Sequence, residues 1–254
     1  MRRSAANAER RWFGRVAVTR VVIADQHQGA RKLSITPQTI AVQQTLPGTR
    51  SRLAVMGILR FSFGTMGSGK STQALQIHHN LTHGGLKGAL CSMLDRRGAR
   101  VSSRLGVSAE AVVISPDVDL REVAANDGDP FDYLVCDEVQ FYTPEQIEQL
   151  AEVVDSLRLD VFAFGLLTDF RGRLFPGTQR LLELADVTEA IQCEARCWCG
   201  NRATHNARLV DGVQVYEGEL LVVDNPEVAP DVTYELRCRA HWTSGEGRPT
   251  IELD

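Results

Sequence analysis

Apolar residues along this chain gather in short, nearly continuous runs, at residues 58–63, 88–93, 111–114, 133–136, 161–164 and 187–192. Runs of this length bounded by polar or glycine-rich segments predict strands buried on both faces. Between several of them the apolar spacing changes to three and four residues, which predicts helices over 71–82, 120–125, 145–157 and 179–184. Strands alternating with helices predict an α/β fold with a mainly parallel sheet covered by helices on both faces. The third helix carries a start signal: Thr143 as N-cap, Pro144 in the first turn and Gln146 closing a capping box. Ile147, Leu150, Val153, Val154 and Leu157 then form its buried stripe.

The pattern changes at both ends. Residues 1–55 carry many arginines against only Glu9 and Asp25. Three readings compete for this basic extension: a transit peptide, a nucleic-acid-binding tail, and a segment ahead of a true start at Met56. The last is the plainest. An apolar stretch at 16–24 predicts a local strand there. From about residue 193 helical periodicity fades, cysteines cluster, and short β-like stretches appear at 212–216 and 220–223. The chain therefore divides into the extension 1–55, an α/β domain 56–192 and a small domain 193–254. A domain as small as the last builds a limited core, which a metal staple would supplement.

The most specific chemistry follows the first strand. Gly64-Thr65-Met66-Gly67-Ser68-Gly69-Lys70-Ser71-Thr72 matches the phosphate-binding pattern G-x-x-x-x-G-K-[ST]. Its glycines let backbone N–H groups wrap a triphosphate at a helix N-terminus. Lys70 then reaches the β- and γ-phosphates and Ser71 holds Mg²⁺. A second signature, Asp137-Glu138, ends the run at 133–136. Asp137 is placed to hold Mg²⁺. Glu138 either orients water, as in an ATPase, or takes a proton from an attacking hydroxyl, as in a small-molecule kinase. A third stretch from Phe162 to Gly177 starts as a strand and becomes a polar, aromatic loop. There Phe170 and Phe175 can stack on a base, and Arg171 or Arg173 can meet phosphate. Cys197, Cys199, Cys238 and His241 supply four ligands for a structural Zn²⁺, with Cys193 as a competitor. Cys91 and Cys136 lie in apolar strands and read as core residues. His78, His79 and His83 read as surface or packing residues.

Composition adds limits. The net charge of −4 and 24% charged residues give no overall sign of a nucleic-acid or membrane partner. No apolar run approaches the roughly 18 residues of a membrane span. Six cysteines beside a phosphate loop suggest reduced thiols or a metal site more than disulfides.

In order and content, these segments resemble the thymidine kinases of the zinc-containing cellular and bacterial type, from about Met56 to Trp242. The form of the first cysteine knuckle, Cys197-Trp198-Cys199-Gly200, is closest to the actinobacterial branch. Other matching motifs are Asp137-Glu138-Val139-Gln140-Phe141-Tyr142, Leu167-Thr168-Asp169-Phe170-Arg171-Gly172, and the run through Asn206 to Arg208, with Tyr234 ahead of Cys238. The resemblance implies a P-loop NTPase-type domain with a zinc ribbon, and ATP-dependent phosphorylation of the 5′-hydroxyl of thymidine. It makes Glu138 the catalytic base. It makes Gly64 to Ser71, Asp95, Arg96, Arg97, Asp137, Glu138, Val139 and Gln140 the ATP-facing residues. It places Met66, Phe141, Leu166, Phe170, Asn206 and Tyr234 around the nucleoside. A lasso loop joins them through Leu220, Leu221, Val222, Val223 and Asp224. It further implies a cytoplasmic homotetramer, feedback inhibition by dTTP, and no membrane or nucleic-acid partner. The chain departs from the pattern in three places: the basic extension, the Cys-x-Cys spacing, and Asp224-Asn225 where the lasso usually has glycine. The rival readings are a P-loop ATPase with Glu138 orienting water, and a zinc-ribbon adaptor whose basic arm binds nucleic acid.

Overall fold

Six strands pair side by side, all parallel, in the order β5-β2-β6-β7-β1-β8. They are β1 (Leu59–Phe63), β2 (Gly88–Ser92), β5 (Val112–Val113), β6 (Tyr133–Asp137), β7 (Asp160–Gly165) and β8 (Val187–Ala190). This computed structural model describes residues 57–93, 100–103, 106–191, 194–220 and 231–248. The sequence expectations for 1–55, the start at Met56, the strand at 16–24, Asp95 to Arg97, Cys193 and Leu221 to Asp224 lie outside the described residues.

The period of two along each central strand splits its side chains between two helical layers. On one face, α1 (Lys70–His83) lays Ala74 and Leu75 against Leu90, Tyr133, Val135 and Phe164. On the other, α3 (Pro144–Leu157) lays Ile147, Leu150, Val153 and Val154 against Leu59, Phe61, Leu134, Cys136, Val161 and Ala163. Two shorter helices, α2 (Leu120–Ala125) and α4 (Pro176–Leu184), contribute Leu120, Ala124 and Leu181 to that second core. Each fully buried Leu, Ile or Val side chain among them is worth roughly 1.5–3 kcal/mol relative to exposure. Cys91 and Cys136 are opposed neighbours in this core and wholly buried, as their apolar surroundings imply.

The start of α3 follows its sequence signal. The Thr143 side chain accepts from the Gln146 N–H, and the Gln146 side chain accepts from the Thr143 N–H. The remaining Gln146 amide hydrogens donate to the Ser115 and Val118 carbonyls, so the cap also fastens the approach to α2. The strands at 111–114 and 187–192 are shorter than their apolar runs. Both sit at sheet edges, where Val112, Val113 and Val187 are exposed.

A small antiparallel sheet follows, in the order β10-β9-β11: β9 (His205–Val210), β10 (Val213–Val215) and β11 (Val232–Arg237), then α5 (Arg239–Ser244). Of these only β10 matches a predicted stretch. The middle strand β9 buries Asn206 and Arg208, and β11 buries Arg237, so neither reads as apolar. A further hairpin pairs β3 (Arg100–Ser102) with β4 (Ser108–Glu110).

Candidate active site

Because β6, β7 and β1 are adjacent and parallel, the chain leaves all three at the same edge. That edge is where open parallel sheets bind ligands. After β1 the loop from Gly64 to Gly69 turns back into α1. Gly67 and Gly69 take positive φ values of 71° and 87°, which other residues adopt only with strain. A Cβ on Gly64 would sit 2.4 Å from the Ser68 hydroxyl oxygen, so the loop closes only around glycine. Gly69 caps α1 without a side chain, which leaves the first-turn N–H groups for a ligand. The Lys70 ammonium lies inside the loop, donating to the carbonyls of Thr65 at 2.8 Å and Gly64 at 3.3 Å. The Ser68 hydroxyl is buried with no hydrogen-bond partner among the described residues.

Asp137 ends β6 with 2% exposure. Burial first, and the Glu138 charge second, raise its carboxyl to about 6. The Ser71 hydroxyl, the Glu138 N–H and the Lys70 charge act the other way. Glu138 stands next, in the left-handed region at φ 56°. Its carboxylate accepts from the Gln140 side-chain amide, whose carbonyl oxygen in turn accepts from the Leu166 N–H at 2.9 Å. Gln140 is 2% exposed, so a buried amide couples Glu138 to the end of β7.

The loop after β7 is organised by Asp169, which accepts from the N–H groups of Arg171 and Arg173 and pairs with the Arg171 guanidinium at 2.7 Å. Arg171 is thus engaged within the loop. Phe141 is half-buried and meets Phe175 edge-on at 5.6 Å. Phe170 is buried beneath the Arg208 guanidinium, whose carbon lies 3.7 Å from the ring centroid. The small sheet reaches the phosphate loop through Asn206, whose side-chain oxygen accepts from the Met66 N–H at 2.9 Å. A cavity of about 200 Å³ opens between that sheet and the loop, lined by Thr65, Ser68, Leu167, Thr168 and Asn206 among others.

Beside this edge, Cys197, Cys199, Cys238 and His241 bring one ligand atom each within 4.8 Å of the others. Sulfur to Nδ1 distances are 3.4 Å from Cys197 and 3.6 Å from Cys238, and the Cys199 and Cys238 sulfurs are 3.9 Å apart. Tetrahedral zinc with S and N ligands has edges of about 3.5–3.8 Å. Burial opposes ionisation of Cys197, yet the Cys199 and Cys238 N–H groups and the His241 ring bring its thiol down to about 6. The cluster reaches four ligands without Cys193.

The thymidine kinase family matches residues 57–242. This chain belongs to that family. The thymidine kinase of Streptomyces avermitilis is 55% identical over 188 residues, covering 72% of this chain and 87% of the relative. That of Cutibacterium acnes is 46% identical over 194 residues, covering 75% and 90%. That of Lactococcus lactis is 41% identical over 196 residues, covering 75% and 100%.

In this thymidine kinase family member, the residues expected to face phosphate from Gly64 to Ser71, with Asp137 and Glu138, converge on one sheet edge. Met66, Leu166, Phe170 and Asn206 gather beside them. Leu220 is half-buried, and Tyr234 is exposed but hydrogen-bonded at its hydroxyl. Val139 is fully buried in the core against α3 and α4. Gln140 is engaged with Glu138 rather than open to solvent. Two further residues meet the site without a site role read from the sequence. Arg208 touches Phe170 and Tyr234, and Trp242 donates its indole N–H to the Phe170 carbonyl at 3.1 Å. Both belong to the small sheet region; Arg208 ends a stretch that matches the family motif, but the contacts of both with Phe170 show only in three dimensions.

Proposed function

We infer that this chain transfers the γ-phosphate of ATP to the 5′-hydroxyl of thymidine. The observation that carries the reading is the meeting of three segments at one edge: the Lys70 loop after β1, Asp137-Glu138 after β6, and Leu166 to Phe170 after β7. The loop and Lys70 bind and orient the triphosphate, and the ammonium offsets its charge. Ser71 and Asp137 pair a hydroxyl with a buried carboxylate, a hard-oxygen donor set that suits Mg²⁺. They would hold that ion, which supplies charge neutralisation on the β- and γ-phosphates. Glu138, steered by Gln140, takes the 5′-hydroxyl proton and aligns the oxygen for attack. Phe141, Phe170 and Tyr234 enclose the base, with Asn206 and the chain from Leu220 to Asp224. Asp95, Arg96 and Arg97 complete the ATP-facing set in this proposal.

The Cys197, Cys199, Cys238 and His241 cluster fits Zn²⁺ by ligand chemistry and spacing, and we assign it a structural role. Division into 56–192 and 193–254, a homotetramer, dTTP feedback and a cytoplasmic location belong to the same proposal. No described helix is long and apolar enough to cross a membrane.

The test is product analysis with the purified protein, Mg²⁺ and ATP, offering thymidine, deoxycytidine or no nucleoside. Thymidine 5′-monophosphate with little deoxycytidine product is the expected result. Hydrolysis of ATP indifferent to nucleoside would replace this reading with the ATPase, in which Glu138 orients water.

A further inference from the structure

We propose that Arg208 is a positioning residue for nucleoside binding, setting Phe170, Tyr234 and the chain at Glu219–Leu220 in one arrangement. The proposal rests on the thymidine-binding reading of this site. Arg208 lies in β9, the central strand of the small sheet, and is 3% exposed. A buried guanidinium is costly unless it finds hydrogen-bond partners. Here each of the three nitrogens makes one hydrogen bond, and no carboxylate is among the partners in the described residues. Nε donates to the Tyr234 hydroxyl at 2.9 Å, Nη1 to the Glu219 carbonyl, and Nη2 to the Leu220 carbonyl at 3.0 Å. The cation faces the Phe170 ring with its carbon 3.7 Å from the centroid.

Each partner comes from a different part of the chain. Tyr234 is the directly opposed residue on β11. Glu219 and Leu220 follow β10. Phe170 belongs to the loop after β7 of the large sheet. One planar fork therefore joins the wall built by the large sheet to the segment that approaches it from the small one. Ordinary core packing does not call for this arrangement, because an apolar side chain of similar length fills such a site at lower desolvation cost. What the guanidinium adds is direction: three hydrogen bonds and a stacked face at fixed angles. The Trp242 indole holds the Phe170 backbone while Arg208 holds its ring.

Lysine cannot reproduce this, since a point charge neither stacks as a plane nor forks to separated acceptors. Methionine fills the volume and removes the buried charge. The experiment is equilibrium binding of thymidine and of ATP, with steady-state kinetics, for wild type, Arg208→Lys and Arg208→Met, alongside thermal unfolding. The expected result is a thymidine Kd and KM raised about tenfold or more in both variants. The ATP Kd should stay within about twofold and kcat within about threefold, and Arg208→Met should remain folded. Wild-type thymidine affinity in a folded Arg208→Met overturns the proposal. So does an equal weakening of ATP and thymidine, or loss of the fold in both variants, which would assign Arg208 to stability alone. Wild type that binds ATP but not thymidine overturns the reading of the site itself, and this inference with it.

Discussion

Glu138 sits at φ 56°, a conformation that costs a non-glycine residue about 1 kcal/mol or more. It stands at the junction of β6 with the turn that follows, and its carboxylate is tied through Gln140 to Leu166. A carboxylate held this way is suited to proton abstraction. Glu138→Gln should lower kcat at least about 100-fold while ATP affinity stays near wild type. Near-normal turnover would remove Glu138 from the base role. Its neighbour Asp137 carries a different consequence. Its carboxyl is raised from the ordinary carboxylate range to about 6, chiefly by burial. A raised pKa contributes stability that is complete below the unfolded value and is lost as pH rises through the folded one. In metal-free protein Asp137→Asn should therefore be more stable to unfolding than wild type at pH 7.5, by on the order of a few kcal/mol. The difference should shrink as pH falls toward 5. A variant less stable than wild type at pH 7.5 would show that the Ser71 and Glu138 hydrogen bonds outweigh burial.

At the scale of elements, α3 and α5 show two ways of fixing a helix. The first is local. Its capping box, its proline and its apolar stripe all lie within its own sequence, and they set both where it begins and which face it buries. Thr143→Ala should cost about 1 kcal/mol of stability. Thymidine and ATP KM values should stay within about twofold, since the cap's hydrogen bonds run to Gln146, and those of Gln146 to Ser115 and Val118, not to the residues of the site. A changed KM would mean that the Gln146 contacts to Ser115 and Val118 reach the active edge. The short α5 depends on distant partners. Cys238 precedes it, His241 lies within it, and both belong to the four-ligand cluster with Cys197 and Cys199. The next residue, Trp242, stacks on His205 at 4.7 Å and donates to the Phe170 carbonyl. A Cβ on Gly172 would lie 2.6 Å from its ring, so helix and loop are in close contact.

For the whole molecule, this contact couples the cysteine cluster to the loop that carries Phe170 and Gly172. One zinc per chain is expected by metal analysis. Its removal by a chelator should release α5, change tryptophan emission, and raise the thymidine KM several-fold with a smaller effect on ATP. An equal loss of both substrates would mean global unfolding instead. The two sheets also meet at the Met66 N–H, held by Asn206, so the phosphate loop and the small sheet share one hydrogen bond across the site.

The sequence by itself determined the large sheet and the phosphate site. Strands covered on both faces are largely apolar, so β1, β2, β6 and β7 stand out as runs. The phosphate loop is legible because its glycines and lysine act within one short segment. The capping box of α3 is legible for the same reason. The four cysteine and histidine ligands stood out by residue type, though spacing left Cys193 in competition. Only the tertiary structure decided the small sheet and the finer arrangement of the site. Strands β9 and β11 bury Asn206, Arg208 and Arg237, and a polar residue looks surface-exposed until its partners are known. Those partners are far away in the chain: Met66 for Asn206, and Phe170 for Arg208 and Trp242. The same holds for Gln140, whose link from Glu138 to Leu166 exists only because β6 and β7 are neighbours. Local periodicity records which face of an element is buried. Which hydrogen-bond donors and acceptors meet across elements depends on how the sheets pair, and no short window of sequence contains that.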